Sequence, residues 1–331
     1  MIKALYAMLG VNMWRQAVTT LDFEDSAWDK IVEKSHEYGI NMIVLDIGEG
    51  IEWKSHPELA VKNAWSYYRV KKEIQRLREL GIALIPKLNF SATHHLWLGE
   101  YRKMLSTKVY YDVCRDLIHE VYDLFEQPEY IHLGMDEEGE MTILQGYTGL
   151  LNFRRGELLW HDLKFLCDTV TALGAKPWIW GDLCGEDPEE FQKRFPKDSV
   201  ILSPWYYFAF KREHFKKISE CRQVDIDFYA NTFPYNQMNL TYIEEDPGYV
   251  KMREKLARSA NLGYGLVPCF SDWGRTPYNA PDLIEFYQER TQPSDLLGFM
   301  VAPWCRTKNE FVDEIVGNLE TLRKCQEIFG L

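Results

Sequence analysis

Short apolar runs rich in β-branched and aromatic residues alternate along this chain with longer stretches in which apolar residues recur at helical spacing. Eight such runs read as strands: residues 3–9, 42–46, 83–88, 130–134, 177–181, 200–205, 265–270 and 299–304. Between them, residues 27–38, 65–80, 108–125, 157–173 and 249–261 carry the amphipathic period of surface helices. Several of these helices stop at a glycine ahead of the next strand, as in Tyr38-Gly39-Ile40, Leu80-Gly81-Ile82 and Leu173-Gly174-Ala175, where a left-handed residue closes the last turn. The repeat is therefore βα, with about 42 residues between successive strand starts, enough for each unit to carry an extended loop.

That pattern predicts an α/β fold, a (β/α)₈ TIM barrel, as a single domain over residues 1–331. The rival is a doubly wound open sheet. Such a sheet binds its cofactor through a glycine-rich phosphate loop after an early strand, and Gly48-Glu49-Gly50 is too short and too acidic to be one. Residues 224–235 also read as extended and offer a second position for the seventh strand. No linker, low-complexity tract or charge block marks a domain boundary.

Composition narrows the function. The 331 residues are 46% hydrophobic and 27% charged, the mix of a folded globular protein rather than a disordered one. A formal net charge of -12 opposes binding to a phosphate backbone, so no nucleic-acid partner is expected. No apolar run approaches the ~20 residues of a membrane-spanning helix, so no membrane partner is expected either. The apolar start, residues 1–10, is followed by Asn12, Trp14 and Arg15 where a signal peptide would have a small-residue cleavage site, and it reads as the first strand. Cys114, Cys167, Cys184, Cys221, Cys269, Cys305 and Cys325 are odd in number and dispersed, without a CxxC pair. They suggest neither a disulfide framework nor a zinc site, and a reducing compartment, the cytoplasm, fits them. Aromatic residues make up 14% of the chain, a bias towards sugar faces, which stack on such rings.

In a barrel the chemistry sits where strands end, so those ends carry the candidates. Asp46, Glu49, Glu52 and Trp53 follow the second strand; Lys87 and Asn89, then His94 and His95, the third; His132 and the run Asp136-Glu137-Glu138 the fourth. Trp180 and Asp182 close the fifth, Trp205 and Tyr206 the sixth, Ser271, Asp272 and Trp273 the seventh, Trp304 and Arg306 the eighth. Acids and tryptophans converge on one mouth. Cleaving a glycosidic bond needs a proton for the leaving oxygen and negative charge near an oxocarbenium-like centre, and two carboxyls in unlike environments divide those roles. Asp136 and Glu137 are the evident pair. On a regular strand they would face opposite ways, so both reach one pocket only if the chain turns out of the strand there. As a bland alternative, residues 136–140 form a solvated acidic loop that opens the next helix.

His132-Leu133-Gly134-Met135-Asp136-Glu137 resembles the His-x-Gly-Gly-Asp-Glu motif of glycoside hydrolase family 20, the β-N-acetylhexosaminidases. Residues 41–46 with Trp53 and His56-Pro57-Glu58-Leu59 resemble that family's second strand and loop, and residues 81–86 its third strand. The resemblance implies a substrate-assisted mechanism in which the sugar's own 2-acetamido oxygen attacks the anomeric carbon. It gives Asp136 the role of orienting the acetamido group and Glu137 that of general acid and then base. Asp46, with His94 or His95, and His132 would support them from behind. Trp180, Trp205 and Trp304 would wall the sugar, with Tyr229 or Tyr235 donating to the acetamido oxygen; Asp182 and Arg306, at strand ends beside these tryptophans, are counted with them as substrate-binding residues, although Arg306 stands where the family usually has an acid. No cofactor and no metal are implied.

The sequence departs from that family at defined places. Met135 replaces the second motif glycine, with its side chain expected on the pocket floor or behind the strand. Lys87 and Asn89 stand where the family has two acids, and Ser91-Ala92-Thr93 stands for its Pro-Gly-His. Its first-strand arginine has no counterpart in residues 3–9, its N-terminal accessory domain is not expected ahead of that strand, and Lys87 and Arg306 suggest an anionic substituent on the sugar. His94, His95, His132 and Asp182 lack metal-site spacing, and no GxSxG elbow occurs. Two rival functions remain: a two-carboxylate glycosidase in which Glu49, Asp182 or Asp272 pairs with Glu137, and a sugar-binding barrel without activity.

Overall fold

The computed structural model describes residues 1–13, 17–138, 154–207, 247–271 and 279–331. The strands are β1 (Ile2–Met8), β2 (Met42–Asp46), β3 (Ala83–Lys87), β4 (Tyr130–His132), β5 (Lys176–Trp180), β6 (Ile201–Ser203), β7 (Gly265–Leu266), β8 (Cys269–Phe270) and β9 (Gly298–Val301). All pair in parallel, in chain order from β1 to β7, with β9 beside β1 and β8 beside β9. β7 and β8 are two halves of one predicted run, interrupted at Val267 and Pro268, where proline has no N–H to give a ladder.

Through that interrupted run the ring closes. Val267 N donates to Leu202 O at 2.9 Å and Cys269 N to Pro204 O at 2.8 Å on one side. On the other, Met300 N donates to Pro268 O at 2.9 Å and Ala302 N to Phe270 O at 3.0 Å. The result is the predicted (β/α)₈ barrel, with residues 265–270 as its seventh stave. The alternative placement at residues 224–235 lies outside the described residues.

Strand residues divide by parity, because successive side chains face opposite ways. Leu5, Ala7, Ile43, Leu45, Ile131, Ile179 and Leu202 pack outward against helix residues such as Trp28, Ile31, Leu117, Val121, Leu163, Leu166 and Leu319. Ala4, Tyr6, Val44, Ile85, Trp178, Trp180 and Ile201 fill the lumen. Burial on both faces is why these strands read as continuous apolar runs. The helices Asp25–Glu37, Tyr67–Glu79, Lys108–Leu124 and Glu157–Ala172 lie where the period placed them. Ser66 and Thr107 cap the second and third of these. Gly39, Gly81 and Gly174, at φ 72, 73 and 91°, end the first, second and fourth in the left-handed region.

Candidate active site

β4 stops at His132, and the chain then leaves the strand through three left-handed residues: Gly134, Met135 and Glu137, at φ 76, 67 and 52°. This turn overcomes the alternation that would send adjacent side chains apart. The imidazole of His94 faces both acids, with Nδ1 3.6 Å from Asp136 Oδ1 and Nε2 3.4 Å from Glu137 Oε2. Gly134 is required on two counts, its φ and its space: a Cβ there would stand 2.1 Å from Asn89 Oδ1. Met135 occupies the same backbone region with a side chain, at a cost of about 1 kcal/mol. Its side chain is fully buried in the layer between strands and helices, so it lies behind the strand and away from the pocket floor.

The two acids differ in surroundings. Asp136 is buried and accepts from the Ser91 hydroxyl at 2.5 Å, while its own N–H donates to the same oxygen at 2.9 Å. A third of the Glu137 side chain reaches solvent, yet its carboxyl is pushed up to about 8, first by burial and then by the negative charges of Asp136 and Asp182. Asp182 opens the short helix Asp182–Glu186 directly after β5. Burial and then Asp136 raise it to about 7, against the Trp205 Nε1 hydrogen bond to its Oδ2 at 2.7 Å. Burial also lowers the pKa of His94, against the pull of Asp136, so the ring between the acids is held towards its neutral form.

Beneath this pair the lumen holds a buried ion pair. Asp46 and Lys87 are register partners on β2 and β3, 2% and 0% exposed, and Lys87 Nζ donates to Asp46 Oδ2, which also receives the Tyr6 hydroxyl at 3.0 Å. Lys87 therefore cannot meet an anionic sugar substituent, since it is sealed under its partner. Asp46, expected to back Glu137 through a histidine, is engaged by Lys87 and Tyr6. His132 is wholly buried, accepts from Gly134 N at 3.1 Å through Nδ1, and packs on Trp178 and Trp180 with ring centroids 5.5 and 4.9 Å apart. It fixes the start of the turn. Of the two neighbouring histidines, His94 meets the acids. His95 is buried elsewhere, its pKa lowered to about 3 by burial and then by Arg154, Arg102 and His94.

The tryptophans form one cluster at the strand ends. Trp304 lies 4.7 Å from Tyr6, 5.8 Å from Trp180 and 6.3 Å from Tyr207, and Trp205 stacks on Tyr207 at 5.1 Å. Trp205 and Trp304 are half-buried and can present faces, whereas Trp180 is 1% exposed and supports them from below. Arg306 does not join this cluster, because its Nη1 donates to Asp22 Oδ2 at 2.5 Å, with Lys308 on the other oxygen. Glu49, a rival second carboxylate, is 1% exposed and accepts from Val11 N at 2.7 Å and Asn12 N at 3.1 Å, tying two loops together. Tyr229, Tyr235, Asp272 and Trp273 lie outside the described residues.

Three further residues complete the site: Ser91 and Glu138, which the sequence offered only as a motif departure and as part of an acidic run, and Arg154, which it gave no local reason to single out. Ser91 holds Asp136, while Glu138 and Arg154 form a buried pair behind the turn. Ser91 and Asp136 follow the neighbouring strands β3 and β4, whose pairing brings them together, whereas Arg154 reaches Glu138 from just ahead of the helix Glu157–Ala172. Among the described residues no group of three or more His, Cys, Asp or Glu could hold a metal ion, and no helix is long and apolar enough to cross a membrane.

No protein-family profile matches this chain, and no curated protein matches it in sequence. Solved structures do match its fold. A β-N-acetylhexosaminidase from Bacteroides fragilis NCTC 9343 aligns with a TM-score of 0.61 at 15% identity, over 98% of this chain and 66% of that one. A family 20 exo-β-N-acetylglucosaminidase from Vibrio harveyi, solved with N-acetylglucosamine, gives 0.58 at 14%, over 98% and 54%. Dispersin B gives 0.59 at 12%, over 97% and 98%. The chain thus spans about half to two thirds of the first two proteins and nearly all of the third. At such identities the likeness is one of fold, the barrel of family 20 hexosaminidases.

Proposed function

We propose that the chain is a glycosidase of the exo-β-N-acetylhexosaminidase kind, one catalytic domain over residues 1–331, acting on a glycan that contains an N-acetylhexosamine. The observation that carries this reading is the contact of His94 with both Asp136 and Glu137, two carboxyls of unlike environment, with the charge of Asp182, itself bonded to the half-buried Trp205, acting on Glu137. The shared barrel with hexosaminidases, one of them solved with N-acetylglucosamine, adds to it.

In this reading Glu137, protonated at neutral pH because burial and two neighbouring acids disfavour its charge, gives its proton to the leaving oxygen. Asp136, held by the Ser91 hydroxyl, orients the sugar's acetamido group and faces the positive charge that develops on it as its oxygen attacks the anomeric carbon. Water then opens the resulting oxazolinium ring, with Glu137 as base, and the anomeric configuration is retained. Trp205 and Trp304 offer flat apolar faces to the sugar.

The test is a panel of nitrophenyl glycosides with and without the 2-acetamido group, assayed with the parent chain, Glu137→Gln and Asp136→Asn. Turnover confined to acetamido sugars, lost in both variants and partly restored to Glu137→Gln by azide, is the expected result. Brisk hydrolysis of a plain glucoside would instead favour a two-carboxylate mechanism with Asp182, whose charge already acts on Glu137.

A further inference from the structure

Glu138 follows the acid pair directly, but its carboxylate turns inward. Its Oε1 accepts from Ala92 N at 2.7 Å and from Arg154 Nη2 at 2.6 Å. The same Nη2 donates to the Phe90 carbonyl at 2.6 Å, and Nη1 stands 3.5 Å from the Asp162 carboxylate. The side chains of Arg154, Glu138 and Asp162 are 0%, 1% and 0% exposed. One guanidinium thus joins the loop after β3, the loop after β4 and the helix Glu157–Ala172. A planar fork of five donors suits such a junction better than an ammonium would, and removing one member alone would leave a buried charge without its partner.

The two loops so joined carry the acid pair and its immediate partners, Ser91 and His94 on one and Asp136 and Glu137 on the other. Glu137 sits at φ 52°, a conformation that persists in a residue with a side chain only when its surroundings over-determine it. The next residue supplies that determination, since Glu138 is pinned to Ala92 and Arg154. We propose that Arg154, acting through Glu138, is a positioning residue that holds the Asp136–Glu137 turn against the His94 loop. The inference rests on the glycosidase reading above. It also divides two adjacent glutamates between roles: Glu138 is consumed by the clamp, and Glu137 is left to meet His94 and solvent.

The test uses the full chain with Arg154→Met and Glu138→Gln combined, so that neither member of that pair is left charged without the other while Asp162 keeps the hydroxyls of Ser106 and Tyr111, and Arg154→Lys separately. Titration of the Glu137 carboxyl, followed by ¹³C NMR of side-chain-labelled glutamate and assigned with Glu137→Gln, reads the clamp without requiring turnover. The groups facing that carboxyl are His94, Asp136 and Asp182. In the double variant the titration moves down by about one pH unit or more, as burial and the coupling to Asp136 relax. On an acetamido substrate kcat falls on the order of 10²-fold while KM stays within about threefold, as expected for a displaced reacting group. Arg154→Lys falls between the two, and it carries the test by the same readings should the double variant not fold. A folded double variant with the parent Glu137 titration and the parent kcat overturns the proposal. A parent chain that hydrolyses no glycoside would overturn the glycosidase reading instead, while the titration would still decide the clamp.

Discussion

Ser91 and Asp136 exchange two hydrogen bonds: the serine hydroxyl donates to the Asp136 carboxylate at 2.5 Å and accepts from the backbone N–H of the same residue at 2.9 Å. One hydroxyl therefore fixes both the position of the turn and the rotamer of the acid that it carries. Ser91→Ala would remove both bonds and leave a buried N–H without its acceptor, a loss of about 1–3 kcal/mol in stability. The expected outcome is a lower thermal midpoint together with a roughly tenfold or greater loss of kcat on an acetamido substrate. A variant that melts earlier but turns over at the parent rate would show that Asp136 needs no such support.

Glu137 must be protonated to act as an acid, and its carboxyl is pushed up to about 8 by burial, Asp136 and Asp182. Activity should therefore persist through neutrality and decline as the pH rises past about 8. Glu137→Gln should lower kcat by about 10²- to 10⁴-fold and abolish that alkaline limb without lowering the thermal midpoint. A pH–rate profile of kcat/KM checks it, and a limb that survives the substitution would have to belong to another group.

The fold was legible in the chain because each strand is buried on both faces, which writes it as an apolar run, and because glycine marks helix ends at Gly39, Gly81 and Gly174. The acid pair was legible too, as a run of acids beyond a strand. Its partners were less so. Asp46 and Lys87 end neighbouring strands in register, so aligning the strand ends could have paired them, although charge type alone suggested that Lys87 was free for a substrate. Nothing local marks Arg154, whose role arises from a contact 16 residues away in sequence and from a carbonyl 64 residues away. Met135 shows the converse: the resemblance suggested a glycine there, and its φ of 67° explains why, while the burial of its side chain explains how a methionine is tolerated.

Glu49 should make stability fall with rising pH. Its carboxyl, 4.5 in an exposed chain, is raised to about 7 by burial, although the N–H groups of Val11 and Asn12 favour its charge. Between those two values the folded chain keeps a proton that the unfolded chain has released. The stabilisation is therefore complete below about 4.5 and is lost as the pH rises towards about 7. The difference is at most about 3 kcal/mol. Glu49→Gln keeps an acceptor oxygen for the two N–H groups but cannot ionise, so urea midpoints at pH 5 and pH 7 should lie closer together in the variant than in the parent. Equal spacing would mean that Glu49 does not titrate across that range.

Asp182 separates the two ways in which this site could cleave a glycoside. It is raised to about 7 by burial and Asp136, and its Oδ2 is held by the Trp205 indole N–H at 2.7 Å. If the acetamido group is the nucleophile, Asp182 binds a sugar hydroxyl beside Trp205. Asp182→Asn then keeps most of that binding, and KM rises several-fold while kcat falls about tenfold or less, because an amide still fills the hydrogen bond. If Asp182 is instead the second carboxylate, the same change removes the nucleophile or base, and kcat drops by about 10²-fold or more, with azide restoring turnover. Trp205→Phe removes a donor that favours the charged form, so Asp182 would ionise at a still higher pH. Under the first reading, the rise in KM in that variant should therefore shrink as the pH is raised above about 7. A KM that is raised equally at all pH values would show that Trp205 contributes only its ring.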